Sequence, residues 1–209
     1  RFKHKDITKI GSGNPGTMNM TREFGLKVGI ITFFCDAFKG GIPALISYFV
    51  YRKYCFAGTN VLVSDFTRYF CGVWVIIGHI FPVTMKFKGG KGIASTLGLF
   101  WINLGCENPW FLLIGFAAFW LIAFYIVATE WGSMGSLIGV AGFGLWQGVI
   151  FFLRYRSEPS NPYVIVLFML ILAINILTWV AHRKNIMRLL SGEEHHTSVK
   201  KMIHRKKKA

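Results

Sequence analysis

Residues 110–129 read WFLLIGFAAFWLIAFYIVAT, and residues 133–153 follow as SMGSLIGVAGFGLWQGVIFFL after a break of three residues. Neither run contains a charged side chain, and each has the roughly 20 residues that an α-helix needs to cross the hydrocarbon core of a bilayer. A helix is favoured because lipid offers no hydrogen-bonding partner to an open backbone. The two runs therefore predict a pair of membrane-spanning helices joined by a short connection.

Four further apolar blocks flank this pair, at residues 26–51, 68–85, 92–104 and 163–181. All are continuously apolar rather than alternating, which excludes a closed β-barrel. The block at 92–104, GIASTLGLFWINL, is short for a full crossing, so it is either a half-helix or a helix packed inside the bundle. The predicted fold class is all-α, a polytopic transmembrane helical bundle with six apolar segments.

The basic residues are distributed unevenly between these blocks. Of the 24 Lys and Arg residues, 18 lie in the segments 1–27, 84–91 and 182–209, which share one face if the blocks cross alternately. By the positive-inside rule this face is cytoplasmic. The prediction is a single integral membrane domain over 1–209, consisting of a cytoplasmic glycine-rich loop (1–25), membrane helices and loops (26–181) and a basic cytoplasmic tail (182–209).

Composition excludes several classes of protein. With 53% hydrophobic residues the chain is not intrinsically disordered. A formal net charge of +15 would suggest nucleic-acid binding in a soluble protein, but here the basic residues flank membrane segments, where they set topology or meet anionic headgroups and substrates. No nucleic-acid partner is predicted. The four cysteines are scattered singly, so neither a zinc site nor a disulfide framework is predicted.

A glycine-rich motif, GSGNPGTMN at residues 11–19, precedes the first apolar block and is followed by Arg22. It contains a GxGxxG pattern, but a dinucleotide-binding fold needs an apolar strand before it, and KDITKI is not such a strand. Closely spaced glycines allow successive backbone N–H groups to converge on a phosphate, and Arg22 can add a bidentate charge. The alternative interpretation is a tight turn before a helix.

A second glycine-rich segment, KFKGGKG at residues 86–92, leads into the block at 92–104. It is not a Walker A loop, because glycine stands where Ser or Thr must follow the lysine. It is a basic, flexible loop at the start of a helix, where the helix dipole favours anions. The same run could instead serve only as a positive-inside anchor.

Polar residues within or beside the apolar blocks are the remaining candidates. Asp36 and Lys39 are spaced i,i+3 in the first block, which predicts a mutual ion pair with either a structural role or a role in the site. His79 stands alone and is interpreted as a satisfied interior histidine, unless the end of its helix lines the site. After the last block, His182 and Asn185 share a helical face in the basic segment HRKNIMRLL, which by composition alone would be a lipid anchor.

Four motifs taken in order, GSGNPGTMN with Arg22, DAFKGG, GHIFPVTMKFKGGKGIAST and HRKNIMRLLSGEE, resemble those of the bacterial membrane-integral acyl-phosphate:glycerol-3-phosphate acyltransferases (PlsY type). The resemblance implies seven helices in the bacterial cytoplasmic (inner) membrane and an active site facing the cytoplasm. It also implies transfer of a fatty acyl group from acyl phosphate to glycerol 3-phosphate, giving lysophosphatidic acid and phosphate, as the first acylation step of phospholipid synthesis. The family's first helix would precede Arg1.

The resemblance further implies which residues form the site. The expected catalytic residues, around the phosphates and the attacking hydroxyl, are Ser12, Arg22, Lys91, His182 and Asn185. The expected phosphate-binding residues are Gly11, Gly13, Asn14, Gly16, Asn19, Lys39, Lys86, Lys88, Gly89, Gly90 and Gly92. The segment over 129–133 matches the family only loosely, so the roles of Ser133 and Ser136 stay open.

The expected partners are acyl phosphate, glycerol 3-phosphate and membrane lipids. No cofactor, metal or obligatory protein partner is expected, because acyl phosphate is already activated for acyl transfer. The alternative function is a transporter or channel for a phosphorylated anion, which the charged pair Asp36 and Lys39 would suit. The sequence shows no internal inverted repeat, which disfavours a transporter.

Overall fold

The structure is a computed structural model that describes residues 6–194, and over this range the chain forms eight α-helices. In chain order they are α1 (Thr17–Phe24), α2 (Leu26–Tyr51), α3 (Val63–Ile80), α4 (Ile93–Glu107), α5 (Trp110–Thr129), α6 (Gly132–Arg154), α7 (Pro162–Ala181) and α8 (Arg183–Leu190). By length and composition, α2, α3 with the turn that follows it, α5, α6 and α7 can each cross a membrane. The basic run in the predicted tail, residues 195–209, lies outside the described residues.

The short helix α4 lies at the centre of the bundle. Its residues from Ala94 to Phe100 are all buried, and it contacts α2, α3, α5, α6 and α7. Two glycines allow its backbone to touch that of α2, because a Cβ at Gly40 would overlap Ser95 O and a Cβ at Gly98 would overlap Ala37 O. Small residues at such contacts are how helices approach closely in membranes. Of the two alternatives for the block at 92–104, the structure shows a helix packed inside the bundle.

Helix α3 differs from its predicted block, which ran from residue 68 to residue 85. The helix begins at Val63 and ends at Ile80, ahead of Pro82, which cannot continue it. Its first turns contain Asp65 and Arg68, which are buried and paired. Hydropathy alone does not extend the block back over these turns, so its predicted start was wrong. Its predicted end at residue 85 agrees with the candidate span Val63–Met85, which includes the turn after the helix.

The glycine-rich segment predicted as a loop over 1–25 contains a helix, α1. Gly25 separates α1 from α2 with φ of 91°, a conformation that L side chains rarely adopt. A Cβ at Gly29 would overlap the Thr21 side chain, so α1 packs directly against the start of α2. The prediction of a loop is therefore wrong for Thr17–Phe24.

The long helices alternate in direction and define two ends of the bundle. One end collects the carboxyl ends of α3, α5 and α7 with the amino ends of α4 and α6, and it also carries α8. We call it the site end. The other, called the opposite end, carries the start of α3, the end of α4 and the end of α6.

Candidate active site

Polar side chains from four separate segments meet at the site end. Lys91 Nζ donates to Asn185 Oδ1 at 2.5 Å, and Asn185 Nδ2 donates to Ser133 Oγ at 2.6 Å and to Glu194 Oε1 at 3.0 Å. Ser133 Oγ donates to Glu194 Oε1 at 2.5 Å, and Arg188 Nε donates to Glu194 Oε2 at 3.0 Å. We call these five residues the Lys91 cluster.

Burial controls the charge of this cluster. Lys91 is half-buried, and burial lowers its pKa to about 8 against the opposing effect of the nearby Glu194 carboxylate. Burial also opposes the ionisation of Glu194, but hydrogen bonds from Ser133, Asn185 and Arg188 outweigh it, so the pKa of Glu194 is lowered. At neutral pH the cluster therefore presents an ammonium group whose direct hydrogen-bond partner is a neutral amide.

His182 lies beside the cluster, where α7 ends and α8 begins. It is only 3% exposed, and its Nδ1 lies 2.9 Å from Thr178 O. A carbonyl can only accept, so the neutral ring carries its proton on Nδ1 and keeps Nε2 as an acceptor. Burial lowers the pKa of His182 to about 4, with Lys91 adding to the effect. The side chain is neutral at neutral pH.

Buried hydroxyl groups hold the end of α7 in place. Thr178 Oγ1 lies 3.1 Å from Thr96 Oγ1 of α4, and both residues are fully buried. The same threonine supplies the carbonyl that accepts from His182. The central helix α4 therefore helps to position His182 and the first turn of α8.

The loop over residues 86–92 is fastened to the end of α3. Gly89 N donates to Ile80 O and Gly90 N donates to His79 O, both at 3.1 Å. A Cβ at Gly90 would overlap the His79 ring, so glycine is needed there for close approach. Both N–H groups are thus used within the protein, and the predicted role of these two glycines in binding phosphate stays a prediction.

The other predicted residues of this loop differ in exposure and in backbone conformation. Lys86 and Lys88 are exposed, and Lys86 has a left-handed backbone with φ of 51°. Gly92 also has a positive φ, 82°, and is the last residue before α4. The turn directs Lys91 toward Asn185 while the two other lysines face outward.

Below the loop, a second polar group joins α2, α3 and α4. Lys39 Nζ lies 2.5 Å from Asp36 Oδ1, which confirms the predicted ion pair. His79 Nδ1 lies 3.7 Å from Asp36 Oδ1 and 3.4 Å from Ser95 Oγ. The expectation that His79 is a satisfied interior histidine agrees with these partners. Since Gly90 packs on His79, this group supports the loop that carries Lys91.

The glycine-rich motif at 11–19 folds into a compact turn. Gly11 and Gly13 have positive φ, and the buried Asn19 side chain accepts from Ser12 N at 3.1 Å and donates to Ile10 O at 3.1 Å. Asn19 therefore holds the turn together. Ser12 and Arg22 are exposed. Within residues 6–194, no hydrogen bond or ion pair joins either of them to the Lys91 cluster.

The structure thus brings some predicted residues together and adds others. Lys91 and Asn185 are bonded, and His182 is next to them. Ser133, whose role the sequence left open, is part of the cluster, whereas Ser136 donates to Gly132 O within its own helix. Sequence reasoning did not include Arg188 and Glu194, which the structure places in the Lys91 cluster. The available signal was an acidic pair closing an otherwise basic motif, HRKNIMRLLSGEE.

Comparison with known proteins identifies the family. A family model described as glycerol-3-phosphate acyltransferase matches residues 1–192. The glycerol-3-phosphate acyltransferase of Thermotoga petrophila is 35% identical over 193 residues, covering 92% of this chain and 83% of the relative. That of Aquifex aeolicus is 36% identical over 195 residues, covering 93% and 87%.

Two crystal structures of PlsY (YgiH), an integral membrane glycerol 3-phosphate acyltransferase, are similar in fold at 29% identity. The glycerol 3-phosphate form has a TM-score of 0.69 and covers 93% of this chain and 83% of its own. The lysophosphatidic acid form has a TM-score of 0.66 and covers 89% and 81%. The chain therefore belongs to the glycerol-3-phosphate acyltransferase family of integral membrane proteins.

Proposed function

We propose that this protein transfers a fatty acyl group from acyl phosphate to glycerol 3-phosphate, releasing lysophosphatidic acid and inorganic phosphate. The observation that carries the proposal is the Lys91 cluster, in which a half-buried ammonium, an amide and a hydroxyl converge at one end of a membrane bundle. Both substrates carry phosphate, and such donors bind anions more strongly where water is partly excluded. The family match sets aside the transporter alternative.

The reaction requires positioning and electrostatics rather than a covalent enzyme intermediate. A glycerol hydroxyl oxygen attacks the acyl carbonyl carbon, and the bond from that carbon to the phosphate oxygen breaks. Phosphate leaves with the electron pair, and the hydroxyl proton passes to a base. Aligning two bound anions supplies the entropic part of the catalysis, and fixed donors stabilise the charge on the leaving phosphate.

The cluster suggests a division of roles. Lys91 is mostly protonated at neutral pH and holds a phosphate, while Ser133 and Asn185 donate hydrogen bonds to it. His182 is neutral and offers Nε2 as an acceptor for the hydroxyl proton or for its hydrogen bond. In the structure Ser133 and Asn185 both donate to the Glu194 carboxylate, so a phosphate that binds these donors has to compete with Glu194.

The glycine-rich turn and α1 complete the proposed site. Ser12 and Arg22 are exposed and thus available to substrate, with Arg22 gripping a phosphate as a planar fork. The other expected phosphate-binding residues are proposed to form the loops around the site, either by facing the substrate or by fixing the backbone: Gly11, Gly13, Asn14, Gly16, Asn19, Lys39, Lys86, Lys88, Gly89, Gly90 and Gly92. Asn19 acts by holding the turn, as its hydrogen bonds indicate.

We place this site at the cytoplasmic face of the bacterial inner membrane, within a single integral membrane domain. The support is the charge distribution along the sequence, since 18 of the 24 Lys and Arg residues lie in the segments 1–27, 84–91 and 182–209. Because the native Cys55 is exposed at the opposite end, the four native cysteines are first replaced by serine. A cysteine then introduced in place of Lys88 should resist an impermeant thiol reagent in intact cells and react after lysis. Labelling in intact cells would reverse the orientation.

The direct test uses purified full-length protein in nanodiscs. Supplied with palmitoyl phosphate and glycerol 3-phosphate, it should form lysophosphatidic acid and release phosphate in equal amounts. Palmitoyl-CoA at the same concentration should support little turnover, because no nucleotide-binding motif is present in the sequence. Equal turnover with the thioester, or no turnover with acyl phosphate, would contradict the proposal.

A further inference from the structure

His79, the second-to-last residue of α3, contacts both the loop that follows it and the helix beyond that loop. Its carbonyl oxygen accepts from Gly90 N at 3.1 Å, and Ile80 O accepts from Gly89 N at the same distance. Its side chain is only 7% exposed and reaches α4, where Nδ1 lies 3.4 Å from Ser95 Oγ. The segment between α3 and α4 is therefore closed at its base by one residue.

The imidazole ring of His79 has a fixed orientation. Nδ1 faces Ser95 of α4 and Asp36 of α2, whose Oδ1 is 3.7 Å away and is itself paired with Lys39. Nε2, on the other side of the ring, faces the loop. A Cβ at Gly90 would lie 2.1 Å from Nε2, and its three nearest atoms would all belong to the His79 ring. The loop backbone therefore packs directly on the ring at Gly90.

This packing bears on Lys91, the next residue. The place of Gly90 sets where the lysine side chain begins, and its Nζ then reaches Asn185 Oδ1, 2.5 Å away on α8. On the other side of Lys91, α4 begins two residues later, and its first turn contains Ser95. The chain is thus held by His79 on both sides of Lys91, at Gly90 before it and at Ser95 after it.

We propose that His79 is a positioning residue for acyl transfer: its ring sets the place of Lys91 in the site, and Asp36 and Ser95 set the orientation of the ring. The inference rests on the proposed function, in which Lys91 holds a phosphate. His79 contacts no substrate and acts through Gly90. A residue that only stabilised the fold would give the same loss of activity whether or not Lys91 is present. The dependence of that loss on Lys91 therefore separates the two roles.

The first test is a double-mutant cycle between His79→Ala and Lys91→Met, with kcat/KM for palmitoyl phosphate and glycerol 3-phosphate measured in nanodiscs. In the wild-type background, His79→Ala should lose about 100-fold, the scale of a misplacement of about 1 Å. In the Lys91→Met background it should lose less than about twofold, because the effects of coupled residues do not add. Equal losses in the two backgrounds would overturn the proposal.

The second test uses the close approach of Gly90 to the ring. Gly90→Ala places a methyl group against Nε2, so it should lower kcat/KM strongly in wild type and little in His79→Ala, which lacks the ring. The matched control is Gly78→Ala, because Gly78 directly precedes His79 and a Cβ there meets no atom within 4 Å. It should keep wild-type kinetics. If Gly90→Ala costs as much without the ring as with it, the ring does not hold the loop and the proposal fails.

A third variant keeps the proposal testable if His79→Ala does not fold. Ser95→Ala removes one neighbour of Nδ1 and leaves the ring in place, and thermal unfolding in nanodiscs checks that it is folded. Its kcat/KM should fall about 3- to 10-fold, as for the loss of one hydrogen bond, with no further fall in the Lys91→Met background. No loss, or a loss that Lys91→Met leaves unchanged, contradicts the inference. Inactivity of wild type toward every acyl phosphate would instead overturn the proposed function.

Discussion

The two ends of the bundle both bury charged groups, but they balance them differently. At the opposite end, Arg68 lies 2.5 Å from Asp65 and 2.7 Å from Glu107, and Arg154 pairs with the same two carboxylates. Tyr155 OH adds a donor to Asp65 at 2.6 Å. Two guanidinium groups thus face two carboxylates, and the network is closed. We call it the opposite-end network.

At the site end, by contrast, the ammonium of Lys91 donates to a neutral amide, and the one carboxylate of the cluster is bonded to Arg188. A closed network is expensive to break and has no free donor for a ligand. A half-buried cation that lacks a direct ion pair is destabilised by the loss of hydration. A bound phosphate would offset that loss. The two ends thus differ in their pairing: the opposite-end network has a carboxylate for each guanidinium, whereas Lys91, the group proposed to bind phosphate, has no direct ion pair within the described residues.

The largest expected effect is on stability, at the opposite end. Arg68→Met leaves Asp65 and Glu107 buried with one cation between them, so we expect a loss of about 3–5 kcal/mol in the free energy of unfolding. Unfolding in mixed micelles would measure it. The control is Arg156→Met, which removes an exposed arginine from the same end. Equal stability of the two variants would show that the network is not structural.

Lys91→Met should instead lower activity and leave stability unchanged. It removes a cation that lacks a direct ion pair, so the fold should be retained while kcat/KM falls about 100- to 1,000-fold, the usual effect of removing one donor that stabilises developing charge. Lys53→Met, an exposed lysine at the opposite end, serves as the control and should keep normal kinetics. If Lys91→Met unfolds but its folded fraction is active, the contrast between the two ends fails.

The pH dependence sharpens the same contrast. Burial lowers the pKa of Lys91 to about 8 in the free enzyme, so its cation is present below that pH and is lost as the pH rises through it. We expect KM for the phosphate substrates to rise about 10-fold per pH unit well above pH 8, as it would for any ligand that binds one protonation state. Lys91→Arg keeps its charge there, so its KM should stay flat in that range even if kcat is reduced. A flat wild-type profile would contradict this.

The smallest effect is expected from the tail. Truncation after Glu194 removes the basic run at 200–208, which is predicted to be only a lipid anchor, and should change kcat/KM by no more than about twofold, as for a surface contribution. Truncation after Leu190 also removes Glu194 and its bonds to Ser133 and Asn185, so activity should fall further. Equal activity of the two truncated proteins would remove Glu194 from the site.

Several features of the fold were predictable because they depend on local sequence. The runs at 110–129 and 163–181 are helices over almost the same residues, since a long apolar stretch in lipid has to satisfy its own backbone. The start of α3 was not predictable in this way. Asp65 lies before the predicted block and Arg68 is its first residue. Their place inside a buried helix becomes clear only when Glu107 and Arg154, distant in sequence, are seen to pair with them.

The same division holds for the site. The sequence by itself predicted the membrane bundle, the two glycine-rich segments and, through a resemblance of ordered motifs, a site that contains Lys91, His182 and Asn185. Only the tertiary structure decided that Ser133 and Glu194 join Lys91 and Asn185, that Gly89 and Gly90 donate to the end of α3, and that α4 is the buried centre. Hydropathy and glycine spacing act between neighbours in the chain. A hydrogen bond between α6 and the segment after α7 depends on how helices pack, which no local pattern specifies.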